Sequence, residues 1–247
     1  MAVHARQRVA GQHALRSSAL AAELVRAAGV RPHELVLDLG AGSGVLTAAL
    51  VRARARVVAI ELDPVLVRRL QTRFDHVVED DITRVPLPRE PFRVVANLPF
   101  SSTTAALKRL LDPAVPLIQA DVIVEWHLAV KRAAVWPSTR LGVEWSAWHE
   151  LSVSCRLPRC CFAPQPQVDA AVLRAVRRRE PLVPVEHARA YRGFLQRGFR
   201  NGPRAVVPGR QLTRLAGELG FDRAARPRDL DAAQWATLFR RGIRSGR

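Results

Sequence analysis

The sequence predicts an α/β fold: a seven-stranded, mainly parallel sheet flanked by helices, followed by a small α-helical C-terminal domain. Three observations carry that reading. An apolar run turns through glycines directly into a helical pattern at Glu34–Leu50. Strand and helix signals then alternate to about residue 176, and from about Glu186 the pattern is helical and rich in arginine. The expected division is residues 1–179 and 180–247.

In chain order, residues 1–11 are basic and irregular and read as an arm. Gln12-His13-Ala14-Leu15 precedes a helix through Leu20, Leu24 and Val25 that closes at Gly29. Leu35, Val36, Leu37 and Leu39 form the short apolar run of a buried strand, and Val45, Leu46, Ala49 and Leu50 resume at helical spacing. Between them, Gly40, Gly42 and Gly44 permit positive φ and let a ligand lie against backbone whose amides point at it from a helix N-terminus. The dinucleotide pattern G-x-G-x-x-G is not met, because Val45 stands where it needs glycine or alanine. The spacing D-x-G-x-G-x-G instead resembles the S-adenosylmethionine (SAM) turn of class I methyltransferases, which makes Gly40 and Gly42 cofactor-binding candidates.

Arg56–Leu62 is a second apolar strand. Its Glu61, 21 residues after Gly40, is placed to accept both ribose hydroxyls of a bound nucleoside, while Asp63-Pro64 starts the next helix. His76–Asp81 reads as a third strand running into acids. Asp81, ahead of Glu79 and Asp80, is the expected acceptor for the exocyclic amino group of adenine.

Arg93–Phe100 (RVVANLPF) delivers Asn97, Leu98, Pro99 and Phe100 at the C-terminal end of a strand, where open α/β sheets bind ligands. An amino nitrogen on adenine or cytosine is a poor nucleophile, because its lone pair is delocalised into the ring. The Asn97 side-chain oxygen and the Leu98 carbonyl can hold its two hydrogens, favour a tetrahedral nitrogen and stabilise the transient positive charge. Pro99 stiffens the turn, and Phe100 offers a face for the base.

A helix over 103–111 follows. Strands at Asp121–Trp126, Val143–Val153 and Val168–Val176 complete the count of seven. Trp126, Trp136, Trp145 and Trp148 read mainly as packing residues. Phe162, in CFAPQPQVD, sits in a Pro-rich turn expected to expose it, so that it can close over a flipped base opposite Phe100.

Bulk properties set the partner class. No run of the 247 residues approaches the ~18 apolar residues of a membrane span, and the first twenty lack the order of a signal peptide, so a cytoplasmic protein is expected. Cys155, Cys160 and Cys161 have no CxxC spacing, and neither a disulfide framework nor a metal site follows. The formal net charge is +17, and among the basic residues only Lys108 and Lys131 are not arginine. From Arg174 onward 18 basic residues face 6 acidic ones, net +12, which predicts a polyanionic partner gripped by bidentate phosphate contacts.

Taken together, Gln12–Leu15, DLGAGSGVLT, Glu61, Asp81, NLPF and FAPQPQVDAAVL resemble the rRNA adenine N6-methyltransferase family, which holds the Erm resistance enzymes and the KsgA dimethyltransferases. EWHLAVKRAAVWP, LGVEWSAWHE and PRDLDAAQWATLFR are similar to the actinobacterial Erm branch. The resemblance implies a Rossmann-like class I fold using SAM as methyl donor, acting without a metal, as a monomer, on ribosomal RNA, with 23S rRNA preferred over 16S. It implies that His13 and Leu15 contact SAM, that Gly40 lies under its methionine part, and that Glu61 and Asp81 take ribose and adenine. Asn97 would serve cofactor and target base together, Phe100 would stack on that base, and Phe162 would stabilise the methylated nitrogen. The family's Q-N-F-L is Q-H-A-L here, so His13 replaces asparagine and Ala14 an aromatic ring.

Overall fold

The computed structural model describes residues 13–244; the arm expected over residues 1–11, and Gln12, lie outside the described residues. The chain runs β1 (Ala14–Leu15), α1 (Ser18–Ala27), β2 (Leu35–Leu39), α2 (Val45–Arg52), β3 (Arg56–Glu61), α3 (Pro64–Gln71), β4 (Val77–Glu79), β5 (Phe92–Asn97) and α4 (Thr103–Leu110). It continues through β6 (Leu117–Glu125), α5 (Trp126–Ala133), α6 (Arg140–Ser146), β7 (His149–Leu157), β8 (Phe162–Ala163), β9 (Ala170–Arg177), α7 (Ala188–Asn201), α8 (Gly209–Leu219) and α9 (Ala232–Arg244).

Seven strands form one mostly parallel sheet in the order β4-β3-β2-β5-β6-β9-β7. All five residues of β2 are buried, as a central strand covered on both faces requires. It pairs in parallel with β3 on one side (Val36 opposite Val57) and β5 on the other (Val36 opposite Arg93). Chain order therefore reverses at β2, and a ligand crevice opens outside the strand ends at such a reversal. That brings the residues after β2 beside those that end β5. The seven-stranded, mostly parallel sheet is as the sequence predicts, in the Rossmann-like arrangement of a class I methyltransferase.

One predicted strand needs correction. Val143–Val153 is not a single strand: Arg140–Ser146 is helix α6, and β7 begins only at His149. Thr139 caps α6, its Oγ1 accepting from the Gly142 amide at 3.1 Å. Val143 and Ala147, one turn apart, are both buried in a helical core, so the apolar run obeys a period of 3.6 before it obeys a period of 2.

The chain divides into two compact units. One comprises the described residues up to Leu110 with Val115–His127 and Val153–Arg174; the other comprises Leu111–Ala114, Leu128–Ser152 and Ala175 onward. The second unit has its own core, in which Trp148, Tyr191, Phe194, Trp235 and Phe239 are buried. Trp148 Nε1 donates to the Val183 carbonyl at 2.8 Å, and the Tyr191 and Phe239 rings meet edge to face at 5.1 Å. Gly198 lets α7 and α9 close: a Cβ there would come within 2.6 Å of the Trp235 ring.

His149 opens β7 fully buried, with neither ring nitrogen hydrogen-bonded. Burial, with Arg177 and Arg178 nearby, pushes its pKa down from 6.5 to about 4. The unfolded chain therefore takes up this proton first. The stabilisation is present above the unfolded value and is lost as pH falls towards 4, by about 3 kcal/mol at most. Urea unfolding at pH 7.5 and 5 should show His149→Leu losing less stability on acidification than the parent protein; equal losses would contradict the assignment.

Candidate active site

The cavity at the sheet's reversal point has a volume of about 530 Å³ and is lined entirely from the first unit. Its floor is the loop after β2. Gly40 has φ +75°, and a Cβ there would press on the Pro99 ring at 3.3 Å, so the glycine loop and the NLPF turn touch through a position that tolerates no side chain. Gly44 has φ +78°, and a Cβ on it would lie 2.7 Å from both Leu70 and Phe74. The loop amides are not all turned to a ligand, as the sequence suggested. Gly40 and Ala41 donate to the Ile60 carbonyl at 2.8 and 3.0 Å, and Gly42 donates to Glu61 Oε2 at 2.8 Å. What the loop offers the cavity is bare, rigid backbone.

The strongest electrostatic feature is Asp38, which the sequence reading left without a role. It is the penultimate residue of the buried strand β2, is 1% exposed and lines the cavity. Oδ2 accepts from Thr47 Oγ1 at 2.6 Å, while Oδ1 has no partner. Burial, which outweighs the Thr47 hydrogen bond, and the neighbouring Glu61 carboxylate raise its pKa to about 7. An acid inside an otherwise apolar strand was the signal that could have found it. Asp63 also lines the cavity, although its Oδ1 caps α3 by accepting from the Val65 amide at 2.7 Å.

Asn97 ends β5 at the opposite wall. Its Nδ2 donates to the His13 carbonyl at 2.6 Å, which commits the amide nitrogen and turns Oδ1 to the acceptor role. His13 Nδ1 lies 2.7 Å from the Pro164 carbonyl, and its ring packs on Phe100 with centroids 5.6 Å apart. Ala14–Leu15 forms a two-residue antiparallel ladder with Phe162–Ala163, extended by Arg16 N to the Cys161 carbonyl at 2.9 Å. The N-terminal motif is thus stitched to the FAP segment, a pairing that no local pattern in the sequence announces.

The cavity brings together His13, Leu15, Gly40, Gly42, Asn97, Leu98 and Phe100. Three expected residues are not in its lining. Phe162 is 1% exposed rather than displayed, because its register opposite Leu15 turns the ring into the core with Leu157 and Val172. Glu61 is also 1% exposed, and its carboxylate accepts three backbone amides, from Gly42, Leu62 and Asp63. Asp81 lies past the end of β4, and its Oδ1 accepts both the amide and the hydroxyl of Thr83, which hold its pKa below the usual carboxylate range.

Comparison with known proteins gives the class of chemistry. Residues 3–213 match the family described as ribosomal RNA adenine dimethylase. The chain is 38% identical over 229 residues to the mycinamicin-resistance protein MyrB of Micromonospora griseorubida, covering 89% of this chain and 72% of that one. It is 33% identical over 252 residues to ribosomal RNA small subunit methyltransferase A of Synechococcus sp. (strain JA-3-3Ab), covering 92% and 90%. Among solved structures it is similar to the 23S rRNA methyltransferase ErmE, with a TM-score of 0.82, 28% identity and coverage of 93% and 99%.

Proposed function

Since the chain belongs to the ribosomal RNA adenine dimethylase family and is an rRNA adenine N6-methyltransferase, we propose that its target is one adenine in the peptidyl-transferase loop of 23S rRNA. Methylation there, once or twice, gives resistance to macrolides, lincosamides and streptogramin B. The observation that carries the choice of 23S is the likeness, over most of both chains, to MyrB and ErmE. The 33% identity to a small subunit methyltransferase keeps 16S rRNA as the second reading. Expression in a sensitive bacterium tests it: the minimal inhibitory concentration of a macrolide should rise at least tenfold with the parent protein and not with Asn97→Ala. No rise would favour 16S.

The cavity residues fit SAM. Asp38 Oδ1 is a buried acceptor with no hydrogen-bond partner among the described residues, in a residue that lines the cavity. When bound, SAM supplies an electrophilic methyl group. Asp38, Gly40, His13 and Leu15 would hold it; Glu61 fixes the loop through Gly42 and would accept a ribose hydroxyl, and Asp81 would be the more distant adenine acceptor. Asn97 Oδ1 and the Leu98 carbonyl take the two N6 hydrogens, and Phe100, braced by His13, packs on the base. The buried Phe162 acts by anchoring β1. An adenine must be unpaired or flipped to reach this depth.

The catalytic work falls to residues 1–179 and the RNA grip to 180–247, where Arg189, Arg197 and Arg200 are exposed along α7. No helix among the described residues is long and apolar enough to cross a membrane.

Asp38 sets a pH dependence. Its proton must leave before Oδ1 can meet a cation, so SAM affinity rises with pH towards about 7 and then levels. Between pH 6 and 7.5 the gain should be roughly eightfold by calorimetry. Asp38→Asn should bind more weakly with no such gain; a parallel pH profile in the variant would refute the role.

A further inference from the structure

The helical unit carries a groove of about 670 Å³ between α7 and α9, within the ~300–1,000 Å³ of ligand sites. Arg189, Gly193 and Arg197 line it from α7, and Phe239 and Gly242 from α9. Two features distinguish it from ordinary solvated surface.

The first is charge. Arg189 and Arg197 are exposed, about 12 Å apart along the helix axis, and flank Gly193 on one face of α7. Neither enters an ion pair or side-chain hydrogen bond among the described residues, whereas Arg192 of the same helix is held by Asp112 at 2.9 Å and Glu144 at 3.0 Å.

The second is bare backbone without a packing reason. Glycine inside a helix is destabilising relative to alanine, and Gly198 has its cause in the Trp235 ring. Gly193 and Gly242 have none. A Cβ on Gly193 would meet only the flexible Arg197 guanidinium at 3.7 Å, and one on Gly242 only the Val206 carbonyl at 3.9 Å. Both helices thus leave space towards the same groove that no atom of the described residues fills.

We propose that this groove binds an unpaired stretch of the RNA substrate outside the catalytic cavity. A sugar-phosphate unit passes over Gly193 between Arg189 and Arg197, and its base lies on the apolar floor of Val206, Phe194 and Phe239. Arginine forks match phosphate oxygens, and a basic groove with an apolar floor accepts a single strand whatever its sequence. Glu186, the carboxylate at the lip, repels phosphate at the Arg189 end, so the strand anchors at Arg197. The inference rests on the RNA reading above, and the test separates the two.

Fluorescence anisotropy with the full chain, using an unstructured oligouridine and a 23S peptidyl-transferase-loop fragment over a salt series, reads the groove directly. Gly193→Leu fills it while retaining every charge and a good helix former. It should bind both RNAs about tenfold more weakly, with SAM affinity unchanged and stability at least equal to the parent. The double substitution Arg189→Ala, Arg197→Ala, which removes only exposed side chains, should lower the salt slope for oligouridine by about 1.4. RNA affinity within twofold of the parent in both variants would overturn the proposal, as would preference for an acidic peptide over oligouridine. If 23S is methylated while binding ignores these changes, the groove is wrong and the target reading stands. If binding follows them but 23S is not methylated, the groove stands and the target reading falls.

Discussion

Asn97→Ala is expected to lower methyl transfer by at least about a thousandfold while changing SAM affinity less than about threefold. The Asn97 amide nitrogen is committed to the His13 carbonyl at 2.6 Å, so its oxygen is the fixed acceptor at the end of β5. Alanine removes the dipole that meets charge as it develops on the adenine nitrogen. Single-turnover assays with saturating SAM separate chemistry from binding. Turnover within tenfold of the parent would remove Asn97 from catalysis.

Glu61→Ala should be the most damaging change to cofactor binding. Three backbone amides, of Gly42, Leu62 and Asp63, converge on this carboxylate at 2.8–3.0 Å, and alanine leaves all three without an acceptor. At about 1 kcal/mol each the loop would lose about 3 kcal/mol, and SAM affinity should fall roughly a hundredfold as the glycine floor loses its shape. RNA affinity should hold within about twofold. An effect confined to RNA would refute the assignment.

These two residues also mark how far the sequence could be read. Asn97 was legible in place, because an apolar strand running into N-L-P-F sets it at the strand end that opens on the cavity. Glu61 was legible in position only. The sequence placed an acid at the end of the second strand, but that its oxygens fold back onto the glycine loop depends on a tertiary hydrogen-bond pattern. Phe162 was misread for a related reason: a Pro-rich turn implies exposure locally, and the pairing of residues 162–163 with 14–15, more than 140 residues away, buries it. The helix at Arg140–Ser146 was hidden because Val143, Trp145 and Trp148 satisfy strand and helix patterns over so short a run. Asp38 lay in plain sight at the head of the glycine motif, yet its orphaned oxygen and raised pKa exist only once β2 is buried on both faces.

We infer that this cavity methylates N6 of one adenine in 23S rRNA. The most direct measurement is transfer of labelled methyl from SAM to protein-free 23S rRNA and to 30S subunits in parallel, with primer extension to place the block. Label is expected on 23S alone, as N6-methylated adenosine, with a single stop in the peptidyl-transferase loop. Label confined to 30S subunits would contradict it.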